Sequence, residues 1–216
     1  MSSEFKKRII TSIILFILLI LMYFYTYILI ISLIIIALIS WIEFYGLISK
    51  IFSKSRILKF IFKSFSLIYL LLLVFSIFYV LSNKPELKIF FVYPILVSIA
   101  SDIGGLTFGK LFKGKKLTKI SPKKTISGSI GSFIFSFLII PVFIDLIPNH
   151  DILSLLMITT LISLSTQLGD LFISFIKRKA KVKDTSDLLP GHGGVLDRVD
   201  GIIFALPIGY LLLNYF

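Results

Sequence analysis

No cysteine occurs in the 216 residues, which excludes disulfide stapling, zinc–thiolate centres and thiol catalysis. The Walker A pattern and the Gly-x-Gly-x-x-Gly fingerprint, two glycine-rich loops tied to nucleotide phosphates, are both missing. Acid is scarce, with 11 Asp and Glu against 23 Lys and Arg, a net charge of +12. Charge of either sign disappears from Ile9 to Ile42. Only two histidines are present, and no nucleophile–base pair is apparent among the chemistry-bearing residues.

What fills the chain is apolar. Hydrophobic residues make up 57% and mean hydropathy is +1.02, more apolar surface than a soluble domain of this length could keep from water. Uncharged apolar runs of about 18 or more residues read as membrane-spanning helices. The stretch Ile9–Ile42 is too long for one span and suits two, joined by a tight turn near residues 23–27. Further spans are expected at 64–82, 88–109, 128–147, 152–176 and 201–215. The expected fold is an all-α, polytopic transmembrane helical bundle of about seven spans. It forms a single membrane domain over 1–216, with hydrophobic spans in 1–82 and a catalytic half in 83–216. Lys6, Lys7 and Arg8 ahead of the first apolar run resemble a signal peptide, but no small-x-small cleavage site follows, so an uncleaved first helix is expected.

With the N-terminus in the cytoplasm, the inner segments hold 21 of the 23 Lys and Arg, leaving only Lys84 and Lys88 outside. The positive-inside rule predicts that bias. Topology and attraction to anionic lipid account for the basic segment 50–63. They do not account for the acids and glycines interleaved with the bases in cytoplasmic loops 110–127 and 177–200.

Ionisable residues inside a membrane are costly, and each is a functional candidate by default. Asp102, in Ser101-Asp102-Ile103-Gly104-Gly105, lies eight residues before Lys110, about 12 Å along a helix. Asp170 lies seven residues before Lys177, about 10 Å. Matching depth suggests a shared polar cavity; the alternative is that each carboxylate pairs with a lysine reaching in from a loop. Glu43 is either a substrate-cavity residue or, the favoured reading, an interfacial carboxylate pairing with Lys50 or Lys54.

The loop after 177 combines a basic run, a glycine-rich turn and two acids at i, i+3. Asp197 and Asp200 share a face if the last helix begins at about Asp197. Carboxylates beside lysines suit Mg²⁺, commonly held by one or two carboxylates plus substrate phosphate oxygens. Glycines admit close approach of a phosphate, and backbone N–H groups can cradle it. Asp170 joins Asp197 and Asp200 only if spans six and seven are neighbours. Ser121-Pro122-Lys123-Lys124-Thr125 brings lysines and hydroxyls to the start of a span, a polyphosphate-binding combination. His192, flanked by Gly191, Gly193 and Gly194, contacts phosphate, carries a proton or stabilises its turn. His150 reads as a solvated turn residue.

Ser174-Phe175-Ile176-Lys177-Arg178, then Lys183-Asp184, Ser186, Leu189-Pro190, His192-Gly193-Gly194-Val195 and Asp197-Arg198-Val199-Asp200 together resemble the signature of phosphatidate cytidylyltransferases, also called CDP-diacylglycerol synthases. The match runs over 27 positions and holds at every defined one. The 121–125 segment is similar to that family's second motif and Ser101-Asp102-x-Gly104-Gly105 to a third. Residues 1–82 resemble the family only in being hydrophobic. Ser127 stands where the family usually has an acid, and the chain is shorter than many members, by a span or two towards its N-terminal end.

The resemblance implies transfer of a cytidylyl group from CTP to phosphatidic acid, giving CDP-diacylglycerol and pyrophosphate, at the cytoplasmic face of the cell membrane. Asp170, Asp197 and Asp200 would hold Mg²⁺, with a second cation left open. Lys123, Lys124, Lys177, Arg198 and His192 would serve catalysis, and Ser121, Thr125, Gly193, Gly194 and Asp102 substrate binding. The implied partners are CTP, phosphatidic acid and the bilayer, with no nucleic acid; a homodimer is left open. The competing readings are a CTP-dependent enzyme acting on another lipid phosphate or lipid alcohol, and a non-enzymatic transporter or scaffold.

Overall fold

A computed structural model describes residues 3–147, 150–191 and 193–215, with side chains from residue 10 onward. Among them are nine α-helices, one short 3₁₀ turn at Pro85–Lys88 and no strand. The chain is all-α and polytopic, as the composition requires. Apolar runs fold this way because a helix satisfies every backbone N–H and C=O internally where lipid offers no partner.

The elements are α1 (Ser3–Phe24), α2 (Thr26–Ile51), α3 (Arg56–Asn83), α4 (Ile89–Phe112), α5 (Ile126–Phe137), α6 (Ile140–Phe143), α7 (Ile152–Lys179), α8 (Leu196–Val199) and α9 (Ile202–Tyr215). Five segments are long and apolar enough to cross a bilayer: 26–51, 56–83, 85–112, 126–143 and 152–179. The remaining two of the seven expected spans are α1, a helix of 22 residues, and α9. The apolar part of α1 covers Ile10–Phe24, and α9 has 14 residues, about 21 Å of rise against a hydrocarbon core of about 30 Å. The fifth span is interrupted at 138–139 rather than continuous. Pro141 has no N–H to give the Phe137 carbonyl and its ring crowds that carbonyl, so α5 stops at Phe137 and α6 restarts with the proline near its N-terminus.

The chain divides into two compact units. The first comprises residues 1–85 and 176–199; the second comprises 86–175 and 200–216. In the first unit α2 packs on α1, α3 and the short α8. Ser55 caps α3 by accepting from Leu58 N, Trp41 Nε1 donates to the Lys63 carbonyl, and Lys63 Nζ sits 3.1 Å over the Tyr45 ring. Phe60, Phe65 and Phe75 on α3 are more than half exposed, an arrangement suited to lipid and not to water.

The second unit has a dry core of Phe90, Tyr93, Val97, Ile140, Phe143, Ile147, Leu155, Ile158, Ile162, Ala205 and Leu213. His150, expected as a solvated turn residue, is half-buried, with its ring edge-on to Phe90 at 6.5 Å. Lipid tails are as apolar as leucine, so helices there associate through close packing and interhelical hydrogen bonds. α4 uses both. Its buried hydroxyls pair with α7: Tyr93 with Thr159, Ser98 with Thr166 at 2.8 Å, and Ser101 with Ser163 at 3.0 Å. Against α5, Ser132 Oγ donates to the Ser101 carbonyl at 2.7 Å, and Gly104, Gly105, Gly128 and Gly131 bring the two backbones into direct contact. The expected effect of Tyr93→Phe is modest, about 0.6 kcal/mol lost. Thermal unfolding in detergent checks it, and a loss above about 2 kcal/mol would contradict the assignment of that pair as one bond among several.

Candidate active site

The signature loop belongs to the first unit. The last turn of α7 delivers Lys177, almost fully buried, whose Nζ donates to Asp197 Oδ1 at 2.6 Å. The other oxygen, Oδ2, accepts from Thr185 N at 2.8 Å, Thr185 Oγ1 at 2.9 Å and Gly194 N at 3.0 Å. Burial pushes the Asp197 carboxyl up. The bond and charge of Lys177 and the amides of Thr185 and Gly194 outweigh it, holding the group below the ordinary carboxylate value. Asp197 is thus poised as an anion clamped by its own loop, with one lone pair of Oδ1 left over.

Gly193 and Gly194 are glycines for a reason visible here. Gly193 has φ +82°, in the left-handed region, and a Cβ there would meet Asp197 Oδ2 at 2.9 Å. A Cβ on Gly194 would overlap Thr185 Oγ1 and come within 2.7 Å of Glu43 Oε1. The turn was expected to offer its N–H groups to a phosphate. Instead Gly194 N is committed to Asp197, and the N–H groups of Val195 and Leu196 to Glu43. His192 lies outside the described residues. Arg198 is exposed on α8.

Glu43 corrects the sequence reading. It forms no ion pair with Lys50 or Lys54; its carboxylate is buried and turned to the signature loop, where Thr185 Oγ1 donates at 2.8 Å and Ser186 Oγ at 2.5 Å. The physical reason is burial. On an apolar helix, a chain of two hydroxyls and two amides satisfies the carboxylate without drawing a lysine out of water. Sequence reasoning missed Thr185 altogether, because it occupies an undefined position of the signature. The signal for Glu43 was there: it is the only acid between Glu4 and Glu86.

The second unit holds the other half of the candidate residues. Lys124 forms an ion pair with Asp170, whose Oδ1 also accepts from Ser174 Oγ at 3.3 Å. A lysine does therefore reach Asp170 from a loop. Lys124 is placed by the turn in which its N–H donates to the Ser121 carbonyl and its own carbonyl accepts from Leu117 N. Thr125 caps α5, accepting from Gly128 N at 3.0 Å. Ser127, at the position of the family's usual acid, donates to the Lys113 carbonyl and bonds Thr125 Oγ1 at 3.0 Å. It closes the basic loop where Lys113 takes a left-handed φ of 51°. Lys123 is exposed and Ser121 half-exposed in the same loop, and Asp102 lies exposed on α4.

Spans six and seven are neighbours here, as the carboxylate grouping needed. The Asp200 carbonyl lies against Gly169, a Cβ on Gly201 would meet Thr166 Cγ2 at 2.5 Å, and the Phe172 and Phe204 rings meet edge-on at 5.6 Å. The condition for Asp197 and Asp200 to share a face, a last helix beginning at about Asp197, is not met. α8 stops at Val199 and α9 begins at Ile202, because the Asp200 side chain takes up Gly201 N at 3.0 Å, ending one helix and leading into the next. Asp200 itself is buried.

Among the described residues no group of three or more His, Cys, Asp or Glu is gathered as a metal cage. The residues fit the other arrangement: one or two carboxylates per ion, with the remaining ligands supplied by substrate and water. Asp170 and Asp197 each keep acceptor capacity beyond the donors they have.

A family model described as "Cytidylyltransferase family" matches residues 1–216. Phosphatidate cytidylyltransferase of Staphylococcus haemolyticus (strain JCSC1435) is 45% identical over 129 residues, covering 57% of this chain and 48% of that protein. The enzyme of the same name from Rickettsia prowazekii (strain Madrid E) is 40% identical over 148 residues, 64% of each chain. That of Staphylococcus aureus (strain COL) is 42% identical over 144 residues, 64% of this chain and 54% of the relative. The aligned part of this chain spans from about half to just under two-thirds of the length of these relatives. With the family model covering it from end to end, the chain belongs to the cytidylyltransferase family.

Proposed function

We propose that the chain transfers a cytidylyl group from CTP to phosphatidic acid, releasing pyrophosphate and leaving CDP-diacylglycerol in the cytoplasmic leaflet. The observation that carries the reading is the Lys177–Asp197 pair, held by the signature loop's own amides, in a chain whose curated relatives are phosphatidate cytidylyltransferases. A phosphatidate phosphate oxygen bonds to the α-phosphorus of CTP as the bond to the β-phosphate oxygen breaks. The nucleophile comes from the lipid, so the protein needs none, consistent with the absence of a nucleophile–base pair.

Catalysis then rests on positioning and on neutralising phosphate charge. Lys124 and Lys177 are assigned to phosphate oxygens; each is held near its working place by the carboxylate it pairs with. Lys123 and Arg198, both exposed, add positive charge where CTP arrives. Thr125 and Ser127 hold the basic loop on α5, and Ser121 shapes the turn that carries Lys124. Asp170, Asp197 and Asp200 are the carboxylates assigned to Mg²⁺, one or two to an ion, with substrate and water completing the shell. When bound, that ion supplies Lewis-acid charge neutralisation at the triphosphate. The positive-inside bias of the basic loops supports a cytoplasmic position for these groups, where CTP is found.

The protein purified in lipid nanodiscs, given labelled CTP, Mg²⁺ and phosphatidate, is expected to form CDP-diacylglycerol and pyrophosphate one for one, and to stop when EDTA is added. Diacylglycerol offered in place of phosphatidate gives no product. CDP release with phosphorylation of the alcohol would instead make it a lipid kinase and sink the proposal.

A further inference from the structure

Glu43 is a buried carboxylate and the one acid on α2, a helix made mostly of Ile, Leu and aromatic residues. Such a group persists in an apolar setting only when its lone pairs are satisfied. Among the described residues, its four hydrogen bonds come from one short stretch of chain more than 140 residues away. Oε1 accepts from Ser186 Oγ at 2.5 Å and Val195 N at 3.1 Å; Oε2 accepts from Thr185 Oγ1 at 2.8 Å and Leu196 N at 2.8 Å. Those donors bracket the glycine turn on both sides. Within the loop, Leu189 N donates to the Gly193 carbonyl, and Asp197 Oδ2 takes Thr185 N, Thr185 Oγ1 and Gly194 N. One further tie reaches α1, where Thr11 Oγ1 donates to the Pro190 carbonyl at 3.2 Å.

The anchor is coupled directly to Asp197. Thr185 Oγ1 lies within hydrogen-bond distance of both carboxylates, at 2.8 Å from Glu43 and 2.9 Å from Asp197. Leu196, whose N–H Glu43 accepts, is the residue before Asp197. Gly194 presents the face a Cβ would occupy to the Glu43 oxygens while giving its N–H to Asp197. Removing the Glu43 carboxylate therefore takes away the four bonds that tie both ends of this segment to α2, and leaves Asp197 held only from within the loop and by Lys177.

We infer that Glu43 is a positioning residue for the cytidylyl transfer proposed above, on which this inference rests: it docks segment 185–196 onto α2 so that Asp197 is presented with its Lys177 partner. Glu43 touches neither substrate nor metal in this role; it acts through Thr185, Leu196 and Gly194.

The test uses the full chain in lipid nanodiscs as Glu43→Ala and Glu43→Gln, with two readouts. Hydrogen–deuterium exchange at peptides covering 193–197 reports the anchoring directly. Steady-state kinetics with CTP, Mg²⁺ and phosphatidate report its consequence. In Glu43→Ala, exchange over 193–197 should rise at least tenfold while the α4–α5 region stays protected. Over the same change kcat should fall about 10–100-fold, as for loss of a supporting partner of a ligand, with the KM for phosphatidate unchanged. Glu43→Gln keeps the volume and one acceptor oxygen and should recover part of both, which also covers failure of the alanine variant to insert. Unchanged exchange over 193–197 overturns the inference, and so does raised exchange with kcat within threefold of wild type. A wild-type protein that makes no CDP-diacylglycerol sinks the cytidylyl-transfer reading alone, and the exchange change still upholds the anchoring.

Discussion

Asp197→Asn is expected to cut pyrophosphate release from CTP and phosphatidate by about 10²–10³-fold, the range for losing one preorganised electrostatic group, while the protein still inserts in the membrane. Asparagine preserves the shape of the side chain and removes its charge. It also leaves one acceptor oxygen for donors from Lys177, Thr185 and Gly194. Lys177 would then carry an uncompensated charge at a side-chain exposure of 11%, and an unpaired buried charge is strongly destabilising.

That second consequence makes the chemistry separable from the packing. In the double variant Lys177→Met/Asp197→Asn the stranded ammonium is gone, so thermal stability should recover towards wild type. Activity should not, because both the carboxylate and the cation assigned to phosphate are missing. Stability by thermal unfolding and turnover by pyrophosphate release check the two halves. If the single Asp197→Asn variant turns over within threefold of wild type, Asp197 has no part in holding a metal ion.

The second large effect is on folding and lies between α4 and α5. A Cβ on Gly131 would sit 2.5 Å from Phe108 Cγ and 2.7 Å from the Gly104 carbonyl oxygen; a Cβ on Gly104 would reach Phe135 Cβ at 2.7 Å and overlap the Gly131 carbonyl. Each position meets a backbone carbonyl oxygen of the facing helix, and a Cβ moves only with its own backbone, so side-chain rotation does not relieve the clash. Gly131→Ala should cost about 1–3 kcal/mol by overpacking, and Gly131→Leu more, enough to lose the folded protein from detergent extracts. Gly46, on α2, has no heavy atom within 4 Å of the place its Cβ would take. Gly46→Ala should therefore be neutral or gain up to about 1 kcal/mol from helix propensity. Thermal unfolding of the three variants side by side decides it, and equal losses at Gly46 and Gly131 would refute the close-approach argument. This contact also changes the meaning of the Ser101-Asp102-x-Gly104-Gly105 motif. Ser101 and both glycines serve helix packing, which leaves Asp102 as its one candidate for substrate.

The sequence by itself determined the fold class, the approximate spans and the candidate carboxylates. Hydrophobic runs too long and too uncharged for water admit only helices in lipid, and the 27-position signature is local enough to be recognised as a string. The break in the fifth span follows from Pro141 and was legible in principle. What only the tertiary structure decided are contacts between segments far apart in sequence. Glu43 reads as an interfacial acid beside Lys50 and Lys54 because those lysines are near in sequence. Burial turned it instead to hydroxyls and amides some 142 to 153 residues away. The glycine turn reads as a phosphate cradle because such turns expose N–H groups, yet the N–H groups of residues 194–196 are already committed to Glu43 and Asp197. Whether one helix carries Asp197 and Asp200 was decided in the same way: Asp200 bonds Gly201 N, and Gly201 is packed on Thr166, so the helix breaks between them. Periodicity and hydropathy are properties of neighbours along the chain. Which donor satisfies a buried carboxylate depends on what the fold brings beside it, and residues 1–82, blank by motif, supply the anchor for the signature loop.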